Sequence, residues 1–271
     1  MNDVDFPSGP GAGRRPGPGS GSDAGDRDAG DRDSGARRAE LAANLADVRA
    51  RVGAACDAAG RDPAGLTLIA VTKTRPASDV RLLAGLGVTD VGENRDQEAA
   101  PKASDCADLS LNWHFIGQLQ TNKAARVAAY ADVVHSVDRP RLVRALGAAA
   151  ASSGRFSGRD LICLVQVNLD AQGDPGRGGA AAGDVPGLAE LIENTPGLRL
   201  GGVMAVAPLG AAPAEAFGAL RKCSDSVRSV RPDASIISAG MSGDLEPAIE
   251  SGSTHLRIGT ALLGARRPPV R

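Results

Sequence analysis

Aromatic residues are nearly missing from this 271-residue chain: one Trp, one Tyr and four Phe leave no platform on which nucleic-acid bases stack. Net charge is missing as well. With 31 Lys and Arg against 32 Asp and Glu, the formal charge is −1, so nothing draws the chain to nucleic acid or to an acidic membrane surface. No apolar run approaches the ~20 residues of a membrane span, and the N-terminus has no apolar signal core, so a cytoplasmic location is expected. Cys56, Cys106, Cys163 and Cys223 are scattered, with no Cys-x-x-Cys pair and no histidine at metal-ligand spacing, which predicts reduced, buried thiols and no metal. His114, His135 and His255 each lie in or beside an apolar run, as core or strand-end histidines do. There is no Walker-type phosphate loop. Gly-Pro-Gly-Ala-Gly at 9–13 follows no strand and opens no helix, so a dinucleotide fold gains no support from it.

Lysine is scarce too, and its scarcity is informative. Of the 31 basic residues only Lys73, Lys102, Lys123 and Lys222 are lysines. Lys73 closes the apolar run Leu66-Thr67-Leu68-Ile69-Ala70-Val71-Thr72. A primary amine at the mouth of a buried strand suits a carbonyl-bearing ligand.

What is present divides in two. Residues 1–36 are dominated by Gly, Pro, Asp, Ser and Arg, with the near-repeats Asp23-Ala24-Gly25-Asp26-Arg27 and Asp28-Ala29-Gly30-Asp31-Arg32-Asp33. This segment has too little apolar surface to offset its ordering entropy, and a disordered tail is expected there. From Arg37, Leu41, Leu45, Val48 and Val52 recur on one face of a helix that runs to Gly60. Candidate strands follow at 66–72, 88–91, 112–116, 132–135, 161–167, 199–204, 235–238 and 255–258. Helical stretches lie between them at 77–86, 93–103, 119–130, 139–151, 184–194, 213–229 and 244–250. Strands that are apolar throughout, separated by helices, predict a parallel sheet covered on its outer face. Eight such units over residues 37–271 predict an α/β fold, a single (β/α)8 TIM-type barrel with an extra N-terminal helix. An open doubly wound sheet is the alternative.

In such a barrel the functional residues gather where the strands end. Those positions hold Lys73, Gly92-Glu93-Asn94, Gly117-Gln118, His135-Ser136, Asn168, Met204 to Pro208, Gly240-Met241-Ser242-Gly243 and Arg257-Ile258-Gly259-Thr260. Barrels often bind phosphate with the loops after strands 7 and 8. Ser242-Gly243-Asp244 and Gly259-Thr260 supply small residues, amides and hydroxyls for that purpose; the plain alternative is that Ser242 or Asp244 caps its helix and Gly259 turns the chain. A phosphate site on one side and an amine on the other predict a ligand with both a phosphate and an electrophilic carbonyl. Pyridoxal phosphate fits, and so does the substrate of a sugar-phosphate aldolase.

Several motifs resemble the pyridoxal phosphate homeostasis protein family: Leu68-Ile69-Ala70-Val71-Thr72-Lys73-Thr74-Arg75-Pro76, Gly92-Glu93-Asn94 with Gln97-Glu98, and the stretch from Trp113 to Lys123. His135-Ser136-Val137-Asp138, Gly240 to Glu246 and Gly252 to Arg266 complete the set. The resemblance covers about 37 to 267. It implies a barrel similar to the N-terminal domain of alanine racemase, with pyridoxal phosphate held as an internal aldimine at Lys73. It further implies that Ser242, Gly259 and Thr260 hold the phosphate, that Arg257 faces the pyridine nitrogen, and that Asn94 and Met204 line the pocket.

The same resemblance implies a carrier or regulator of vitamin B6 and, indirectly, of amino-acid balance. Its partners would be pyridoxal phosphate and pyridoxal phosphate-dependent apoenzymes; the chain is expected to act as a monomer. The alternative is a single-domain racemase or lyase on amino acids. Alanine racemases use a tyrosine from a second domain as the opposing acid/base, whereas the one tyrosine here, Tyr130, falls in a helix approaching strand 4. Two positions depart from the family pattern. Arg95 stands where an aromatic usually follows Gly-Glu-Asn, and Arg177 where a lysine is typical. The second departure argues against a cofactor relay through that loop, and leaves Lys123 and Lys222 as expected solvated-face lysines.

Overall fold

The apolar runs become eight parallel strands: β1 (Thr67–Val71), β2 (Asp90–Glu93), β3 (Asn112–Phe115), β4 (Val133–Val137), β5 (Leu161–Gln166), β6 (Leu198–Met204), β7 (Ile236–Ser238) and β8 (His255–Ile258). In the computed structural model, which describes residues 23–170, 178–208, 210 and 212–265, they close into a barrel in sequence order. The seam is made by β8 against β1, with Ile69 level with Arg257 and Ala70 with Ile258. An open sheet is thereby ruled out.

Helices α2 (Ala77–Ala84), α3 (Asp96–Asp105), α4 (Ala124–Ala128), α5 (Pro140–Ser153), α6 (Val185–Glu193), α7 (Pro213–Val230), α8 (Leu245–Glu250) and α9 (Thr260–Leu263) connect or follow the strands. The expected stretch at 93–103 begins later, because Glu93 is still in β2 and Arg95 has extended backbone. That at 119–130 shortens to a 3-10 turn, Thr121–Lys123, followed by α4.

Alternation along each strand sorts side chains inward and outward. On β5, Leu161, Cys163 and Val165 point out into a large core shared with the helices. Ile162 and Leu164 point the other way and meet Val133, Met204 and Ile236 inside the barrel. All four cysteines are buried and free.

The chain divides into two units, Met1–Ala39 and Glu40–Arg271, and the barrel is the second. The helix ahead of β1, α1, spans Asp23–Ala59, so it begins before Arg37, inside the segment whose composition suggests disorder. No proline falls between Pro18 and Pro63, so nothing in that stretch blocks the i to i−4 bonds of a continuing helix. Residues 1–22 of the expected tail lie outside the described residues.

From Glu40 onward α1 has a definite task. The last helix, α9, has only four residues, too few to cover the seam between β8 and β1. Leu41, Leu45, Val48 and Cys56 of α1 cover it instead, joining Ala70, Leu256, Ile258 and Leu262 in a second buried core. Among the described residues no helix is long and apolar enough to cross a membrane, and no group of three or more His, Cys, Asp or Glu is placed to hold a metal.

Candidate functional site

Lys73 is the second residue beyond the end of β1, on the side of the chain shared by Ile69 and Val71. Gly92 has its open face against those two side chains, whereas Leu68 and Ala70 pack outward on the α1 core. Lys73 therefore leaves the strand toward the barrel interior. It is half-buried, and among the described residues its amine has no hydrogen-bond or ion-pair partner. The backbone around it is tightly held. Thr74 has φ 62°, the one positive φ among the described non-glycine residues and a costly conformation for a β-branched side chain. It persists because the Thr74 amide donates to Glu98 Oε2 at 2.9 Å and the Arg75 amide to the Thr72 carbonyl at 3.0 Å.

Beneath this turn lies a group that sequence reasoning missed. Lys102 Nζ, on α3, donates to Glu93 Oε1 at 2.5 Å and to the carbonyl of Thr72 at 2.8 Å. The Thr72 hydroxyl donates to the same carboxylate oxygen at 2.6 Å. Glu93 and Thr72 are completely buried and Lys102 almost so. Burial pushes the Glu93 carboxyl up, while Lys102 and then Thr72 pull it back. One ion pair thus joins the last turn of α3 to the ends of β1 and β2, directly behind Lys73 and Asn94. The signal available in the sequence was a glutamate at the end of a strand with a scarce lysine on the next helix.

Asn94 follows β2, and its Oδ1 is buried without a hydrogen-bond partner; so is Ser136 Oγ, near the end of β4. Gly117, after β3, faces the Asn94 backbone so closely that a Cβ there would lie 2.1 Å from the Asn94 carbonyl oxygen. Met204 ends β6 and is buried against Val133 and Leu164, so it forms part of the apolar floor below the mouth.

The loops after β7 and β8 do meet: Ser242 Oγ accepts from the Ala261 amide at 3.3 Å. Asp244 does not cap α8. Its Oδ1 accepts from the Met241 amide at 2.6 Å, which closes the loop on itself. Gly240, at φ 91° and with Ala248 and Leu256 within 3.0 Å of any added Cβ, is needed by the fold. Gly243 and Gly259 are not: neither has a positive φ, a Cβ on Gly243 would meet nothing, and one on Gly259 would merely touch Val71 at 3.6 Å. Backbone left bare without a demand from the protein is what a close-approaching ligand requires. Thr260 is exposed and Gly259 half-buried beside it. From outside, Arg51 of α1 donates to the Ser242 carbonyl at 3.1 Å and pairs with Glu246 at 2.6 Å, tying this loop to the seam helix.

Arg257 lies within β8, one layer lower, and points inward. Its guanidinium donates to the Ser238 carbonyl at 2.6 Å, to Ser238 Oγ at 2.7 Å and to the Ala205 carbonyl at 2.7 Å. Burial lowers it to about 10, which leaves it a cation at neutral pH. Behind Ser238 stand His135 and His114, both buried.

Other expected participants are elsewhere. Tyr130 packs edge-on against Trp113 with ring centroids 6.4 Å apart, in the outward-facing core, and burial pushes its phenol up. Lys222 is exposed on α7 and Lys123 half-buried in the 3-10 turn. Arg95 is exposed and pairs with Glu98 at 3.3 Å, while Arg177 lies outside the described residues.

The family model for the alanine racemase N-terminal domain matches residues 38–267. Proteins named "Pyridoxal phosphate homeostasis protein" are similar to the chain over most of its length. The one from Mycobacterium tuberculosis is 43% identical over 246 residues, covering 85% of this chain and 95% of the relative. The one from Escherichia coli is 35% identical over 233 residues, covering 84% and 97%. The solved structure of PipY from Synechococcus elongatus with PLP bound has TM-score 0.70 at 31% identity, covering 83% of this chain and all of that one. Alanine racemase from Corynebacterium glutamicum has TM-score 0.60 at 14% identity, covering 83% and 60%, a likeness of fold alone. The matched model, the identities and their near-complete coverage show that this chain belongs to the alanine racemase N-terminal-domain family and, within it, to the pyridoxal phosphate homeostasis proteins.

Proposed function

We propose that this protein holds pyridoxal phosphate on Lys73 as a monomeric carrier for cofactor homeostasis, delivering it to dependent apoenzymes without turning over amino acids. The observation that carries the reading is an amine with no partner among the described residues at the end of β1, beside two joined loops with bare glycine backbone after β7 and β8. Asn94 Oδ1 and Ser136 Oγ are buried and unpartnered at the same end, and polar groups of a ligand would satisfy them. In this reading Ser242, Gly259 and Thr260 hold the phosphate, Asn94 lines the pocket, Met204 floors it, and Arg257 faces the ring nitrogen.

Bound pyridoxal phosphate supplies an electrophilic aldehyde and an aromatic ring that withdraws electrons. A guanidinium only donates hydrogen bonds, so Arg257 keeps a ring nitrogen that it faces unprotonated and weakens that withdrawal. Tyr130 sits in the outward core, away from the mouth, so it is not available as a second acid/base for inversion at carbon. The names of the relatives support homeostasis, and PipY with PLP bound supports the ligand.

Purified protein mixed with pyridoxal phosphate is expected to develop a visible absorption band, and borohydride reduction followed by peptide mass analysis is expected to find the cofactor on Lys73. Lys73→Ala is expected to abolish both. Attachment at another lysine would overturn the assignment. Exchange of amino-acid α-protons in deuterated water at catalytic rates would overturn the carrier reading in favour of a racemase or lyase.

A further inference from the structure

Branched apolar side chains usually fill the interior of a small parallel barrel. Here a polar thread runs through it. His114, His135, Ser238 and Arg257 are each 4% exposed or less, and they are joined end to end. Arg257 Nη1 lies 2.7 Å from Ser238 Oγ, Ser238 Oγ 3.0 Å from His135 Nδ1, His135 Nε2 2.8 Å from His114 Nδ1, and His114 Nε2 2.9 Å from Asp90 Oδ1. Asp90 is the first residue of β2, so the thread starts below the mouth and ends at the opposite end of the barrel. Arg257 has no carboxylate partner among the described residues, and its contacts are two carbonyls and a hydroxyl.

Counting protons gives the thread a direction. A guanidinium only donates, and a serine hydroxyl has a single proton. Ser238 Oγ accepts from Arg257, and His135 Nδ1 is the acceptor for its own proton. His135 therefore carries its hydrogen on Nε2 and donates it to His114 Nδ1. That leaves the His114 hydrogen on Nε2, pointing at Asp90, which also accepts from Thr89 Oγ1 at 2.7 Å and Asn112 Nδ2 at 3.1 Å. Every link is satisfied with both rings neutral. The reverse direction would strand the serine proton in a fully buried site. It would also set a bare Nε2 lone pair against the Asp90 carboxylate, or else require a second buried cation near Arg257. Burial holds His135 well below the ordinary histidine range, and the Arg257 charge lowers it further.

We infer that Ser238, His135, His114 and Asp90 are positioning residues for Arg257: a one-way hydrogen-bond relay links the buried guanidinium to a carboxylate at the far end of the barrel and fixes its plane. The effect on the cofactor rests on the reading that Arg257 faces pyridoxal phosphate; the relay itself does not. Two experiments separate the two. Nitrogen-15 spectra of the imidazoles in the full chain without cofactor are expected to show His114 and His135 neutral at pH 7, both with the hydrogen on Nε2. A hydrogen on Nδ1 of either ring, or an imidazolium at His114, overturns the relay whatever the protein binds. With pyridoxal phosphate added, Ser238→Ala is expected to weaken binding about tenfold, the loss of one bond to a charged donor, and to shift the maximum of the visible band. Ser238→Thr, which retains the hydroxyl, is expected to restore both. Asp90→Asn retains an acceptor oxygen but removes the charge, and is expected to shift the band with the circular dichroism unchanged. Spectra and affinities identical to the wild type in both Ser238→Ala and Asp90→Asn overturn the coupling. If the wild type itself shows no band, the cofactor reading has failed, and the nitrogen-15 result still decides the relay.

Discussion

Residues around the proposed anchor carry backbone strain and close packing. Thr74 takes a left-handed backbone directly after Lys73, at a cost on the order of 1–3 kcal/mol, and is held by the Glu98 carboxylate. Gly117 has the tightest fit at the mouth. A methyl group placed on it would lie 2.1 Å from the Asn94 carbonyl oxygen, well inside contact distance, and backbone cannot yield as a flexible side-chain end does. Gly117→Ala is expected to destabilise the protein by about 1–3 kcal/mol and to weaken pyridoxal phosphate binding by displacing Asn94. Urea unfolding and cofactor titration measure the two effects separately. An affinity equal to that of the wild type would show that the position of Asn94 is immaterial to the site.

Between elements, the decisive link is the pairing of α3 with the ends of β1 and β2 through Lys102 and Glu93. Removing one member of a buried pair leaves the other charged and unpaired, which costs about 3–5 kcal/mol. Lys102→Met is therefore expected to lower stability by that amount at neutral pH. The loss should depend on pH. Without Lys102 the Glu93 carboxyl, already raised by burial, loses its largest opposing influence and rises further. A carboxyl whose pKa is higher folded than unfolded contributes stability below its unfolded value and loses it as pH rises through the folded one. Urea midpoints of Lys102→Met are thus expected to fall between pH 5 and pH 8. The double variant Lys102→Met, Glu93→Gln should recover stability and flatten the slope. A single variant whose midpoint does not change with pH would show that Glu93 is not the group left charged. Arg51 makes a second, weaker link: half-exposed ion pairs contribute roughly 0–1 kcal/mol, so its contact with the Ser242 carbonyl matters for loop position more than for stability.

For the molecule as a whole, the seam between β8 and β1 sets the demand. A four-residue α9 leaves that side of the barrel uncovered, and α1 supplies the missing face with Leu41, Leu45 and Val48, all nearly or fully buried. Leu45→Ala is expected to cost about 2–5 kcal/mol, as a core substitution does, although the residue lies outside the strand and helix repeats of the barrel. Chemical denaturation checks this, and a loss under 1 kcal/mol would mean that the seam does not depend on α1. The eight strands, the parallel barrel and the seam helix were all legible beforehand, because the period of an apolar pattern is a local property that survives in any compact fold. Lys73 was legible for the same reason, as a polar residue ending an apolar run, and so were the small residues of the Ser242 and Gly259 loops. The helix α1 begins at Asp23, inside the segment whose composition suggests a tail.

The histidines show where local reading stops. Each stands in or beside an apolar run, as core or strand-end histidines do, and His114 and His135 are buried. That they join in one thread could not be read, because His135 and Ser238 are 103 residues apart and no pattern within a window links them. The sequence by itself determined which segments become strands and which of their ends carry an amine, amides and hydroxyls. Only barrel closure decided which polar side chains face each other inside it. Burial then made the outcome specific, since a polar atom taken out of water must find a partner of the right donor or acceptor kind, and in this interior one cation, one hydroxyl and two rings satisfy one another in a single order.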